Sequence, residues 1–95
     1  MFQNNRYLTR GVNAEIPIEL QLFLWDALEE IPEPKDYFQV FRLSVLNGIQ
    51  CIEHEQEQPP FKRKYLLPTI ETPITEKVYI IDDGDHSTML LAEEY

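Results

Sequence analysis

A chain of 95 residues, 43% hydrophobic and 12% aromatic, has room for one compact core and is too rich in aromatic residues for a disordered tail. Its 17 acidic against 8 basic residues leave a net charge of −9, which excludes general affinity for nucleic-acid phosphates and suits a basic protein partner better. Cys51 is the only cysteine, so no internal disulfide framework exists, and no apolar run approaches the roughly 20 residues of a membrane span.

The opening Met1-Phe2-Gln3-Asn4-Asn5-Arg6 lacks the basic-then-apolar order of a signal peptide, which with the lone thiol points to the cytoplasm. Arg6 to Val12 reads as a first strand, with Tyr7 and Thr9 on one face, Leu8 on the other, and Gly11 ending or bulging it. Pro17 suits the first turn of a helix, where its missing N–H costs nothing, and the helix is expected over Pro17 to Ile31. Leu20, Phe23, Leu24, Ala27, Leu28 and Ile31 recur at helical spacing as one apolar face. At about 100° per residue, Ile18, Leu22 and Trp25 form a second apolar stripe nearly opposite the first. A helix apolar on two sides needs two covers. One is the sheet; the other is either the N-terminal arm, with Phe2 and Tyr7, or a second copy of the chain.

Pro32 and Pro34 stop the helix, and a strand is expected over Tyr37 to Leu46. Asn47-Gly48 specifies a two-residue hairpin turn, because both central residues of a type I′ turn need φ > 0. That turn sets Leu46 opposite Ile49, Ser44 opposite Cys51, Leu43 opposite Ile52, Arg42 opposite Glu53 and Phe41 opposite His54. Phe41, Leu43, Val45 and Ile52 then share the face under the helix, and Arg42 with Glu53 form an ion pair on the other. The polar stretch Gln50 to Gln58 reads as an exposed edge or a projecting arm, ended by Pro59-Pro60. Phe61 to Leu67 is the next strand, its Lys62-Arg63-Lys64 facing the glutamates of the strand before. After a proline-framed connection over Thr69 to Thr75, a closing hairpin pairs Lys77–Ile81 with Thr88–Ala92. The whole is an α+β pattern over a single domain, residues 1–95. One N-terminal amphipathic helix lies on a mainly antiparallel sheet of five or six strands, in the order β-α-β-β-β-β-β.

The acidic loop Asp82-Asp83-Gly84-Asp85-His86 carries residue types that ligate a divalent cation. It lacks the alternate-residue spacing of an EF-hand loop, and Asp and Gly are ordinary hairpin residues, so the reading is a solvated turn. In the hairpin register Cys51 and His54 point to opposite faces and share no metal; no cofactor is expected. Neither a glycine-rich phosphate loop nor a nucleophile with a neighbouring base is visible, so no catalytic residue is assigned.

Arg6-Tyr7-Leu8-Thr9-Arg10-Gly11-Val12 with the following Ile16 to Trp25, and the closing Ile81 to Tyr95, resemble the two ends of the domain of unknown function 960 family. Its members are short proteins of Gram-positive bacteria and their phages, and the likeness covers nearly the whole length. Its most specific parts are the Arg-Tyr-x-Thr-Arg-Gly opening and the Asp-Asp-Gly turn. The resemblance implies a stand-alone cytoplasmic domain, of phage or mobile-element origin, and brings no activity or catalytic residues. The expected function is a non-catalytic protein-interaction module, meeting a protein partner or a second copy of itself as a homodimer through Ile18, Leu22 and Trp25 or an exposed strand edge. The alternatives are a cation-dependent hydrolase or nuclease using Asp82, Asp83, Asp85 and His86, and an acidic decoy for a nucleic-acid-binding protein. Direct nucleic-acid or membrane binding is not expected.

Overall fold

The computed structural model describes residues 1–95. The elements run β1 (Asn5–Leu8), α1 (Arg10–Glu15), α2 (Ile18–Glu30), β2 (Phe38–Leu46), β3 (Ile49–Gln56), β4 (Phe61–Leu67), β5 (Glu76–Asp82) and β6 (His86–Leu91), with a closing 3₁₀ turn at Ala92–Glu94. The strands form one sheet in the order β1-β6-β5-β2-β3-β4, antiparallel except where β1 lies parallel to β6. No helix is long and apolar enough to cross a membrane.

The α+β class and the six-stranded sheet agree with the sequence, but the element order does not: two helices precede β2, and the first strand stops at Leu8. The reason is a cap that propensity does not show. Thr9 is extended and its Oγ1 accepts the Val12 N–H at 3.3 Å, starting a helix where a strand was expected. Glu94, from the far end of the chain, accepts the Gly11 N–H at 3.1 Å and the Thr9 hydroxyl at 2.6 Å. Gly11 is therefore no bulge. A Cβ there would sit 2.6 Å from Glu94 Cδ, so the residue is a point of close approach.

The core lies between the helices and one face of the sheet. Val12, Ile16, Leu20, Leu24, Leu28 and Ile31 meet Phe41, Leu43, Ile52, Val78, Ile80, Met89 and Leu91. The Asn47-Gly48 turn has φ of 51° and 77°, and every expected β2–β3 pair is present. Val45 departs from expectation: it is 42% exposed, because the hairpin tip, with Leu46, lies clear of the core. Arg42 reaches Glu53 at 3.5 Å and Glu55 at 2.7 Å. Lys64 and Lys62 approach the same two glutamates at 3.7 and 3.9 Å.

β3 is neither an edge nor a projecting arm, since it lies between β2 and β4. Its alternate residues Gln50, Ile52, His54 and Gln56 are all buried. The polar members satisfy one another. His54 Nε2 donates to Gln39 Oε1 (2.6 Å), Gln39 Nε2 donates to Gln56 Oε1 (2.7 Å) and to the Asp36 carbonyl (2.8 Å), and Gln56 Nε2 donates to the Pro59 carbonyl (2.8 Å). Nearer the turn, Gln50 Nε2 donates to the Ser44 and Ile74 carbonyls, and its Oε1 accepts the Ile74 N–H. A strand that reads as solvated is dry because its amides find partners inside.

Candidate functional site

The acidic loop is a fastening. Asp82 Oδ2 accepts the Phe2 N–H at 2.7 Å, while Oδ1 accepts from Asn4 Nδ2 and the Gly84 N–H. Partial burial alone would raise its carboxyl. Those donors, with the N-terminal ammonium, outweigh burial and hold it below the usual carboxylate range. Asp83 Oδ1 accepts the N–H groups of Asp85 and His86, and its Oδ2 lies 3.1 Å from His86 Nε2. Nowhere do three His, Cys, Asp or Glu side chains converge on one point. His86 instead meets the edge of Tyr7, with ring centroids 5.0 Å apart. Ser87 Oγ donates to Asn4 Oδ1 at 2.6 Å.

The second stripe of α2 divides. Ile18 and Leu22 are 63% and 57% exposed, but Trp25 is only 7% exposed. The Arg6 guanidinium lies 4.6 Å from the Trp25 ring centroid and is held there by Glu29 at 2.6 Å. Of the arm, Phe2 is fully buried, while Tyr7 stays exposed on the opposite side of the sheet. The cover for Trp25 is thus Arg6, which the sequence pattern did not single out.

His54 is buried, stacked on Phe41 at 4.2 Å and meeting Phe61 edge-on. Burial first, then the charge of Arg63, lowers its pKa from 6.5 to about 4. The ring is neutral with its proton on Nε2, and Nδ1 has no hydrogen-bond partner. Cys51, on the opposite face of β3, is half-buried and reduced.

Sequence reasoning missed the sheet's other face. Both helices pack on one side, so Phe38 and Val40 of β2, Tyr79 and Ile81 of β5, and Leu90 of β6 form an apolar strip with no helix over it. Tyr95 folds back onto this strip, its ring edge-on to Phe38 at 5.4 Å and to Tyr79 at 5.6 Å. Beside it lies a cleft of about 930 Å³, bordered by Lys35, Tyr37, Phe38, Glu57, Lys77 and Tyr79 among others. The signal was present: β2 and β5 carry apolar residues at successive positions, so both of their faces are apolar there.

A small α+β protein with one helical layer, an uncovered aromatic face and an acidic loop spent on internal hydrogen bonds is the class that this geometry defines. The chain belongs to the family described as "Staphylococcal protein of unknown function (DUF960)", whose profile matches residues 5–94. Among solved structures it is similar to a protein of unknown function from Enterococcus faecalis, at 25% identity and a TM-score of 0.80. That match covers 97% of this chain and 91% of the other. No curated protein matches it. The stretches that carry the family likeness are the ones that touch in space. Thr9 and Gly11 meet Glu94, Tyr7 meets His86, and the arm meets Asp82.

Proposed function

We propose that this protein is a non-catalytic module that binds a protein partner on the uncovered face of its sheet. The observation that supports this is the half-buried apolar strip Phe38, Val40, Tyr79 and Ile81, continuous across β2 and β5, with Leu90 of β6 buried at its border and Tyr95 edge-on to Phe38 and Tyr79. Contiguous apolar surface rimmed by charge is characteristic of interaction sites. Arg42, Glu53, Glu55 and Lys64 supply such a rim. Capture from host lysate on wild type, Val40→Glu and Tyr79→Ser tests the reading. The partner is retained by wild type and lost from both face variants; undiminished capture by the variants overturns it.

A second reading, a homodimer through α2, draws support from the exposure of Ile18 and Leu22 at one helical turn's spacing. Light scattering at high concentration decides it, since a monomeric wild type removes it. The hydrolase reading draws less support, because the oxygens of Asp82 and Asp83 are taken by N–H groups and His86. The decoy reading weakens likewise. Glu29, Glu53 and Glu55 sit against cations, and Asp36, Asp82 and Glu94 accept backbone N–H groups.

A further inference from the structure

We propose that the cleft beside Tyr95 binds an acidic group carried on an aromatic ring, a carboxylate or phosphate on a flat apolar body. This deepens the reading of that face as a binding surface, and rests on it for the source of the group, which would be the partner's anchor.

The argument begins with Lys35. Its side chain is only 6% exposed, although it borders the cleft, and the nearest carboxylate oxygen is that of the solvent-exposed Glu33 at 4.0 Å. The stem is packed away while the ammonium keeps its contact with solvent, and a pair to an exposed carboxylate at that distance is worth little, so the charge stays open to an incoming anion. Further along the cleft, Lys77 has no carboxylate within 4.0 Å, and its ammonium lies 5.6 Å from the centroid of the Tyr79 ring.

The acids bordering the cleft are mostly spent. Asp36 accepts the N–H groups of Phe38 and Gln58, both at 3.0 Å. Glu55 is engaged by Arg42, whose hydrogen bond holds its carboxyl below the ordinary range. Glu57 alone stands opposed, on the exposed β3–β4 turn. Between the two ammonium groups run the rings of Tyr37, Phe38, Tyr79 and Tyr95, a surface for a flat apolar body. The chain's charge of −9 repels polyanions at long range, so a single acidic group with a ring to stack fits better than a nucleic-acid strand.

Phenyl phosphate and benzoate, titrated into the full chain and followed by amide chemical shifts, test this. Both saturate, near about 1 mM for probes of this size, with shifts at Lys35 to Phe38, Tyr79 and Tyr95. Phenol, lacking the charge, and inorganic phosphate, lacking the ring, bind at least about tenfold more weakly, and Lys35→Met weakens phenyl phosphate by about tenfold. Should Lys35→Met not fold, Lys77→Met serves as the second variant with the same expected direction. Equal binding of benzylamine, no saturation by either acidic probe, or unchanged affinity in the folded variants overturns the proposal. Because the probes need no partner, their failure leaves the protein-binding reading standing. Conversely, saturation without partner capture at the face refutes only that reading.

Discussion

Glu94 and Gly11 are in van der Waals and hydrogen-bond contact across the whole length of the chain: Oε2 accepts the Gly11 N–H at 3.1 Å, with no room between them for a Cβ. The same carboxylate takes the Thr9 hydroxyl and the Leu91 N–H, so it caps α1 and ties it to the end of β6. These hydrogen bonds, Thr9's first, hold its carboxyl below the ordinary range. Gly11→Ala therefore lowers the melting temperature by displacing Glu94, and so does Glu94→Ala by removing the acceptor. In Gly11→Ala/Glu94→Ala the two losses are less than additive, which a double-mutant cycle by thermal melts reads directly.

His54 makes the protein acid-sensitive above the range of ordinary carboxylates. Its folded pKa, about 4, lies below the unfolded 6.5, so the unfolded state takes up the proton first. Stability is complete above the unfolded value and falls as pH drops from 6.5 toward about 4, by about 3 kcal/mol in all. Asp82, Glu55 and Glu94, all depressed, add losses only at lower pH, as each protonates toward its folded value. Urea denaturation at about pH 7.5 and about pH 5 measures the difference. In His54→Gln, less stable throughout, that difference shrinks.

Asp82→Ala frees the N-terminal arm. Phe2 holds a left-handed φ of 66° with its ring fully buried, and Asp82 accepts its N–H. Loss of the carboxylate leaves that N–H and the Asn4 amide unpaired, at a cost of about 1–3 kcal/mol. Hydrogen exchange quickens at Phe2 through Leu8 and along β6, while β3 and β4 keep their protection. Mg²⁺, Mn²⁺ and Ca²⁺ leave the melting temperature of wild type unchanged, because the carboxylates of Asp82 and Asp83 are already engaged and no three ligating side chains of the loop converge.

Trp25→Ala destabilises through packing. The ring is 7% exposed beneath Arg6, and its removal costs about 3–5 kcal/mol by unfolding titration. Ile18→Ser and Leu22→Ser stay within about 0.5 kcal/mol of a monomeric wild type. A larger loss that depends on protein concentration reveals a dimer at α2.

The sequence made local features legible and left tertiary ones hidden. The β2–β3 register followed from Asn47-Gly48, and the core face of α2 from its spacing, because both are set by residues close together in the chain. α1 was hidden although its Thr9 cap is local, because Glu94, which takes the Thr9 hydroxyl and the Gly11 N–H, comes from the other end. β3 looked wet because the partners of Gln50, His54 and Gln56 lie on β2 and in the flanking loops. The acidic loop looked like a site because residue types are visible in sequence while the N–H groups that occupy them are not. The aromatic face was overlooked because Tyr95 was read only as the end of the chain, whereas its ring lies on β2 and β5.

The parallel pairing of β1 with β6 sets an order in time. β2, β3 and β4 form a meander of neighbours and can assemble from local contacts as soon as they exist. β1 has no strand partner until β6 emerges, and the Gly11 N–H of α1 lacks its acceptor until Glu94 follows. During synthesis, then, β1 is made well before the strand it pairs with. The emergence of β6 closes the sheet, so a chain halted before it is left with β1 unpaired and open to proteolysis or capture by a chaperone.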